Sequence, residues 1–426
     1  MTAVGTPAIS THVAHRVGNP AGLARLMRSG ERIFLPGSGA EVPALTEALF
    51  TNMAPALDIT ASFVPGINAV PVDSLPVGAR YTSSFAQASP RGTQGAGWFR
   101  HLPLSYGGFA AYLSRQDFDV GIVHVSPPDA SGLCSFGIAV EFMPVVLRNC
   151  RRVFAVINPR MPRISGSAVF DLAMADAIAE TDAPLSEYDV GAPTAQASRI
   201  AAHVAAFVED GATLQVGLGK TPDALMRLVA DRRELRLHSG MLSDAARILA
   251  ESGSLDARRP SVSCVHVGTA RYYDWLAGRD DFQVRGCDFT HAPAVLAGLE
   301  RLVAVNAAFE VDLFGQANLE MLDGRMMSGV GGAADFAHAA SLSPDGVSIV
   351  ALPATAGRSG ASRVVPRLGG ICSLPRHAVD VVVTEYGAAD LRGATVIERA
   401  ERLVAIAAPD HQSELQDAWK EIAARF

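Results

Sequence analysis

One short pattern occurs twice in this chain and limits how it can fold. SGERIFLPGSGAEVPAL, from Ser29, and DGATLQVGLGKTPDAL, from Asp210, each start at a leading glycine (Gly30, Gly211). Each then reads as a strand, a Gly-x-Gly turn (Gly37 and Gly39; Gly217 and Gly219), a proline that starts a helix (Pro43, Pro222) and Ala-Leu. The spacings differ by one residue on either side of the turn. A strand, tight turn and helix recurring at this distance imply an internal duplication, with one copy opening each of two α/β domains.

The second copy continues far enough to read as a whole unit. LQVGLGKTPDALMRLVADRRELRLHSGMLSD (Leu214 to Asp244) predicts a strand at Leu214 to Val216, a turn at Gly217, Leu218, Gly219 and Lys220, and a helix from Pro222. A second strand follows, Leu235 to His238, ending in a turn at Ser239 and Gly240. In a βαβ unit the loops at the carboxyl ends of the strands line the ligand crevice, because helix N-termini and unpaired amides converge there. Both turns are expected to open onto it. The first copy predicts a strand at Ile33 to Leu35 and a helix from about Val42, after a short helix at Pro20 to Ser29.

A weaker echo supports the duplication. DVGIVHVSPPDASG, from Asp119, and DVVVTEYGAADLRG, from Asp380, are apolar β runs ending in polar turns. Crowded β-branched residues without strict alternation indicate strands buried on both faces, as in parallel sheets. The fold expected is therefore α/β, with two duplicated open α/β/α domains and mostly parallel sheets. With 426 residues the chain exceeds what one core usually supports, and about 200 residues per domain is the natural division. The boundary falls between Pro184 and Ala197, giving domains at 1–188 and 189–426. The stretch from Tyr81 to Tyr106, rich in Ser, Gly, Gln and aromatics, reads as a long loop, and Gln412 to Phe426 as a closing helix.

Composition narrows the function. A hydrophobic content of 49% is ample for buried cores, and a net charge of −7 argues against a nucleic-acid footprint. The first residues lack a basic start followed by an apolar stretch, and no run approaches the roughly 18 apolar residues of a membrane helix. A cytoplasmic enzyme that avoids membranes is the reading. Five cysteines (Cys134, Cys150, Cys264, Cys287, Cys372) are widely spread, with no Cys-x-x-Cys pair and no nearby histidine read at ligand spacing, so core thiols are expected, neither a disulfide scaffold nor a metal site. Lys220 is one of only two lysines, the other being Lys420, and its place in the turn is notable.

Two motif matches fail on context. GLGKT resembles the end of a P-loop, but Leu214 stands where that motif needs its first glycine. Gly329-x-Gly331-x-x-Ala334 has the dinucleotide-binding spacing, but the preceding GRMMS is no buried strand.

A larger set of motifs agrees in order along nearly the whole chain. VSPPDASGLCSFG (Val125 to Gly137), INPRMPR (Ile157 to Arg163), LQVGLGKTPDAL, NAAFEVDLFGQAN (Asn306 to Asn318), SGVGGAADF, SRVVP (Ser362 to Pro366), VVTEYGAADLRG and IAAPDHQSEL (Ile406 to Leu415) resemble the acetyl-CoA hydrolase/CoA-transferase family, of which 4-hydroxybutyrate CoA-transferase is a typical member. The resemblance implies two CoA-transferase-type domains, coenzyme A as part of an acyl-CoA substrate, a small carboxylate or other acceptor, and a homo-oligomer. It also implies a chemistry in which a glutamate attacks the acyl-CoA carbonyl, and thiolate return gives a glutamyl-CoA thioester that conserves the thioester's energy. On that reading the Gly217, Leu218, Gly219 and Lys220 turn binds the oxyanion or CoA, and Gly329, Val330, Gly331 and Gly332 pass close to the pantetheine or its carbonyl.

At one position the resemblance breaks. The family's glutamate stands in a phrase like L-x-x-H-[S/T]-E-M-x-S-D; this chain reads LRLHSGMLSD, with Gly240 in the glutamate's place. Four consequences are open. The vacated volume could admit water or a second substrate for hydrolysis or acyl transfer, with His238 as base. The carboxylate could have moved, to Glu41 first, or to Glu310, Glu141 or Glu385. The chain could perform other chemistry on a CoA thioester, or bind acyl-CoA without turnover. Blander roles stand beside these: His238 as a structural histidine, Ser239 as a capping hydroxyl unless a base reaches it, Glu41 as a helix-dipole partner, and the turn glycines as tight-turn geometry alone.

Overall fold

The computed structural model describes residues 14–51, 55–69, 75–86, 97–357 and 360–425. The chain gathers into two compact units, Met1–Asp189 with Pro260–Ala292, and Val190–Arg259 with Pro293–Phe426.

The first unit is built on eight strands in the spatial order His15–Val17, Ala177–Glu180, Cys150–Ile157, Phe118–Val125, Arg32–Leu35, Asp58–Ala61, Arg80–Ser83 and Phe99–His101. Every pair is parallel. Phe118–Val125 is buried along almost its whole length, as a central strand covered on both faces must be. Two of these strands arise inside the stretch expected to be a long loop, because Tyr81 and Phe99 are buried apolar residues whose rings stack at 5.7 Å. The middle of that stretch, residues 87–96, lies outside the described residues. The early helix is a 3-10 helix, Pro20–Leu26, capped by the Asn19 side chain. Pro260–Ala292 adds two mutually parallel strands, Ser261–His266 and Phe282–Val284.

The second unit holds Arg236–Leu242, Thr213–Val216, Leu302–Ala307, Val347–Ala351 and Val381–Thr384 as parallel neighbours, closed by an antiparallel hairpin to Gly387–Asp390. Its helix Lys220–Leu228 packs against Ala195–Ala205 and Ala245–Ser252, and Ala333–Leu342 lies on Leu302–Ala307 and Val347–Ala351. A capping box closes the start of Val396–Ala405: Thr395 Oγ accepts from Glu398 N–H, and the Glu398 carboxylate accepts from Thr395 N–H. The terminal helix runs Pro409–Ala423, and Leu415, Trp419 and Ile422 join the core beneath it. Both units are thus α/β with mostly parallel sheets.

The strand orders share one property. Winding proceeds from Arg32–Leu35 toward one edge, then crosses to Phe118–Val125; likewise from Thr213–Val216 toward one edge, then back across to Leu302–Ala307. Each is a topological switch point, where the connections at the carboxyl ends part and leave a crevice. The two Gly-x-Gly turns follow directly on Arg32–Leu35 and Thr213–Val216.

Candidate functional site

In the second unit, all four residues of Thr213–Val216 are buried, and beyond them the chain turns at Gly217–Lys220. Gly219 has φ +123°, a conformation that a residue with a Cβ rarely adopts, and the next residue opens the helix Lys220–Leu228. No side chain caps that helix at its start. A Cβ placed on Gly217 or Gly219 would meet nothing within 4 Å. The space before this turn is open, and Lys220 is exposed beside it. Beneath it, Gln215 and Asn306 pair their buried amides across adjacent strands, 3.4 Å in both directions.

The neighbouring strand differs from expectation. It runs Arg236–Leu242, through Ser239 and Gly240, which were expected to form a turn. Ser239 explains the extension: it is wholly buried, its hydroxyl donates to Val216 O at 2.8 Å, and Val216 N–H donates back to the Ser239 hydroxyl oxygen at 3.4 Å. The register pairs Leu214 with Leu237, so this latch continues the strand contact where the regular pairing ends. His238 is buried, with its ring 6.2 Å from that of Phe336, edge to face. Phe336 belongs to Ala333–Leu342, the helix entered through Gly329–Gly332, where Gly331 takes φ +56°. Strand alternation puts His238 and Gly240 on the same face, opposite Ser239. The turn at Gly217, the His238–Gly240 stretch and the Gly329–Gly332 entry are thereby tied together within one unit.

Two candidate carboxylates of the second unit are held by their own neighbours. Glu310 accepts from Asn318 Nδ2 and Gly369 N–H, both at 3.3 Å. Glu385 accepts from Gln196 Nε2 at 2.6 Å and Ala354 N–H at 2.8 Å. Arg363 lies in their field, and partial burial lowers its guanidinium's proton affinity against their attraction.

Glu41 belongs to the first unit, where it is buried and accepts from Asn68 Nδ2 at 2.6 Å. Burial raises its carboxyl pKa, and the Asn68 and Thr46 hydrogen bonds oppose the rise. The first unit's crevice is filled by Glu141. Its carboxylate accepts from the hydroxyls of Ser38, Ser62 (2.6 Å) and Tyr106 (2.8 Å), while Gly37 N–H donates to the Ser62 hydroxyl at 2.8 Å. Burial pushes the Glu141 pKa upward, and those donors pull against it. Glu141 and Ser38 both take positive φ, +41° and +49°, strain that the interlocking bonds sustain. A Cβ on Gly37 would stand 2.1 Å from Ser62 O, and one on Gly39 2.7 Å from Ile138 Cδ1.

Against this network lies a cluster that the sequence reading missed. Cys264, Cys287 and His291 are all buried, and their ligating atoms lie within 4.8 Å of one another. Cys264 and Cys287, expected to be core thiols with no histidine at ligand spacing, are buried as expected, but they meet a histidine because Cys264 sits on Ser261–His266 and Cys287 opens the short helix Cys287–Thr290. The available signal was Cys287 and His291 four residues apart, which places both side chains on one helical face.

Residues 94–188 match the acetyl-CoA hydrolase/transferase N-terminal domain, and residues 268–419 the acetyl-CoA hydrolase/transferase C-terminal domain. The chain is 34% identical over 314 residues to 4-hydroxybutyrate coenzyme A transferase of Clostridium kluyveri, covering 72% of this chain and 73% of that protein. RipA from Yersinia pestis superposes with a TM-score of 0.87 at 28% identity, over 96% of this chain and 98% of that one. The 4-hydroxybutyrate CoA-transferase from Porphyromonas gingivalis superposes at 0.78 with 27% identity, over 97% and 98%.

Proposed function

Since the chain belongs to the acetyl-CoA hydrolase/transferase family and is an acyl-CoA hydrolase/transferase-like enzyme, we propose that it acts on a short or modified acyl-CoA thioester at the crevice of its second unit, by hydrolysis or acyl transfer without a glutamyl-CoA intermediate. The observation that carries this reading is the pairing of an open glycine turn with a residue lacking a side chain. Nothing within 4 Å would meet a Cβ on Gly217 or Gly219, and Gly240 stands in the neighbouring strand, next to the Ser239 latch.

In this mechanism the amides of Gly217–Lys220 and the start of the helix Lys220–Leu228 stabilise the oxyanion that forms as the thioester carbonyl is attacked. Gly329–Gly332 lets the pantetheine arm approach the backbone. His238, on the same face as Gly240, takes the proton of the attacking water or acceptor, and the CoA thiolate leaves. Ser239 serves as the latch and carries no acyl group, since its hydroxyl is committed to Val216 O.

The test is thiol release from a panel of acyl-CoAs, with and without small carboxylate acceptors, together with intact-mass analysis of protein quenched during turnover. Thiol release without an adduct supports the proposal. A CoA or acyl adduct on Glu41, Glu141, Glu310 or Glu385 overturns it in favour of a relocated carboxylate, and tight acyl-CoA binding with no turnover overturns it in favour of a binding protein. Gly240→Glu sharpens the test: a gain of transferase activity with a trapped glutamyl-CoA identifies position 240 as the place a nucleophile would occupy.

A further inference from the structure

We propose that Cys264, Cys287 and His291 of the first unit form a binding site for a thiophilic closed-shell cation, zinc in the first instance, that locks the backbone around Glu141. Three ligating atoms within 4.8 Å of one another are close to the spacing a tetrahedral site requires. With zinc–sulfur bonds of about 2.3 Å and zinc–nitrogen bonds of about 2.0 Å, ligand atoms stand roughly 3.5–4 Å apart, so a small contraction completes the set.

Charge balance explains why this interior can hold such an ion. The cation displaces the two thiol protons to solvent and binds two thiolates and a neutral imidazole. Its two positive charges are cancelled by the two thiolates, so the buried complex is neutral. Soft thiolate ligands with one imidazole select zinc over magnesium or calcium. The surroundings are built for a fixed geometry. Cys287 and His291 share a helical face, and the Thr290 hydroxyl lies 2.9 Å from His291 Nδ1, orienting the ring. The Tyr106 ring stands 5.1 Å from the imidazole, so the cluster packs against the phenol that donates to Glu141.

The cluster has a structural purpose. Cys287 N–H donates to Glu141 O at 2.7 Å, Glu141 N–H to Cys264 O at 3.4 Å and Val140 N–H to Cys264 O at 3.0 Å. The two thiol residues therefore grip the peptide units around a residue held at φ +41°. An ion joining them would fix that conformation and, through Tyr106, the hydroxyl network that closes the first crevice. The site is independent of the chemistry proposed for the second unit.

The experiment measures metal in the full chain, purified without chelators from zinc-supplemented medium. The result expected is about one zinc per chain, falling about tenfold or more in Cys264→Ala and Cys287→Ala and unchanged in Cys372→Ser, whose thiol is exposed elsewhere. Should the alanine variants fail to fold, cobalt added to metal-stripped wild-type protein decides: an intense thiolate-to-cobalt charge-transfer band with tetrahedral visible absorption supports the site. Folded wild-type protein with neither zinc nor a cobalt–thiolate band overturns the proposal. So does metal retained in both alanine variants, or a Cys264–Cys287 disulfide found by mass spectrometry in place of metal.

Discussion

The two Gly-x-Gly turns descend from one pattern and sit at equivalent points of their sheets, yet one is closed and the other open. At Gly37 an added Cβ would overlap Ser62 O, and the space beyond is taken by the Glu141 carboxylate with its hydroxyl donors. At Gly217 an added Cβ meets nothing within 4 Å. In the first unit glycine makes room for the protein's own backbone; in the second it leaves room for something else. The first crevice supplies its own acceptor, the Glu141 carboxyl group, from within the chain, so its donors are satisfied and it serves stability. The second commits its buried hydroxyl, Ser239, to a strand contact and keeps its turn clear.

Paired substitutions test this contrast most directly. Gly37→Ala forces apart two backbone segments and should cost more than about 4 kcal/mol, or prevent folding. Gly217→Ala should change stability by no more than about 0.5 kcal/mol, while weakening binding of CoA thioesters if that turn approaches the ligand. Urea unfolding and calorimetric titration read the two effects, and equal destabilisation at both positions would erase the distinction. Next in size is Glu141→Ala, which leaves three buried hydroxyls without their acceptor and should cost about 3 kcal/mol or more. Glu141→Gln should recover much of that loss, because hydroxyls can turn to donate to the amide oxygen or accept from its nitrogen.

The first unit should also carry an acid sensitivity. Burial pushes the His124 imidazole down to about 4 and His266 down to about 3. The unfolded chain, with ordinary histidines near 6.5, therefore binds these protons first, and stability rises with pH across the window. Their contribution is complete above pH 6.5 and is lost as the pH falls toward those folded values, on the order of 2 kcal/mol for each histidine by pH 5. Glu41 and Glu141 act in the opposite sense: their raised values give a contribution that is present below the ordinary carboxyl range and is lost as the pH rises through their folded values. Melting curves from pH 7 to pH 5 should show the loss, and His266→Gln should flatten it; an unchanged slope would place the sensitivity elsewhere.

The sequence revealed the α/β class, because runs such as GIVHV and VVVT are apolar without alternation, and it revealed both turns, because Gly-x-Gly followed by proline is local chemistry. It did not reveal that Ser239 and Gly240 lie within a strand. That depends on a hydrogen bond to Val216, a residue distant in the chain. Nor did it reveal the Glu141 network, whose partners Ser38, Ser62 and Tyr106 converge only once the sheet is assembled, or the Cys264–Cys287 encounter, which requires the segment Pro260–Ala292 to fold with the first unit. Tyr81 and Phe99 were hidden for a related reason: the polar residues between them read as loop, while the two aromatic residues themselves bury as strands.

A milder loss than those in the first unit bears on the open crevice. Ser239→Ala removes one buried hydroxyl that donates to Val216 O, and the methyl side chain fits the same space, so the loss should be about 1 kcal/mol. A latch and a nucleophile predict different kinetics for this variant. As a latch, Ser239 sets the spacing between the Gly217 turn and position 240, so its loss should raise KM for acyl-CoA modestly and leave kcat within about threefold, roughly 0.7 kcal/mol in the barrier. A nucleophilic serine would lose kcat by orders of magnitude with KM little changed. The second outcome would mean that the buried hydroxyl turns away from Val216 during catalysis, and that the second crevice supplies its reactive group from its own chain.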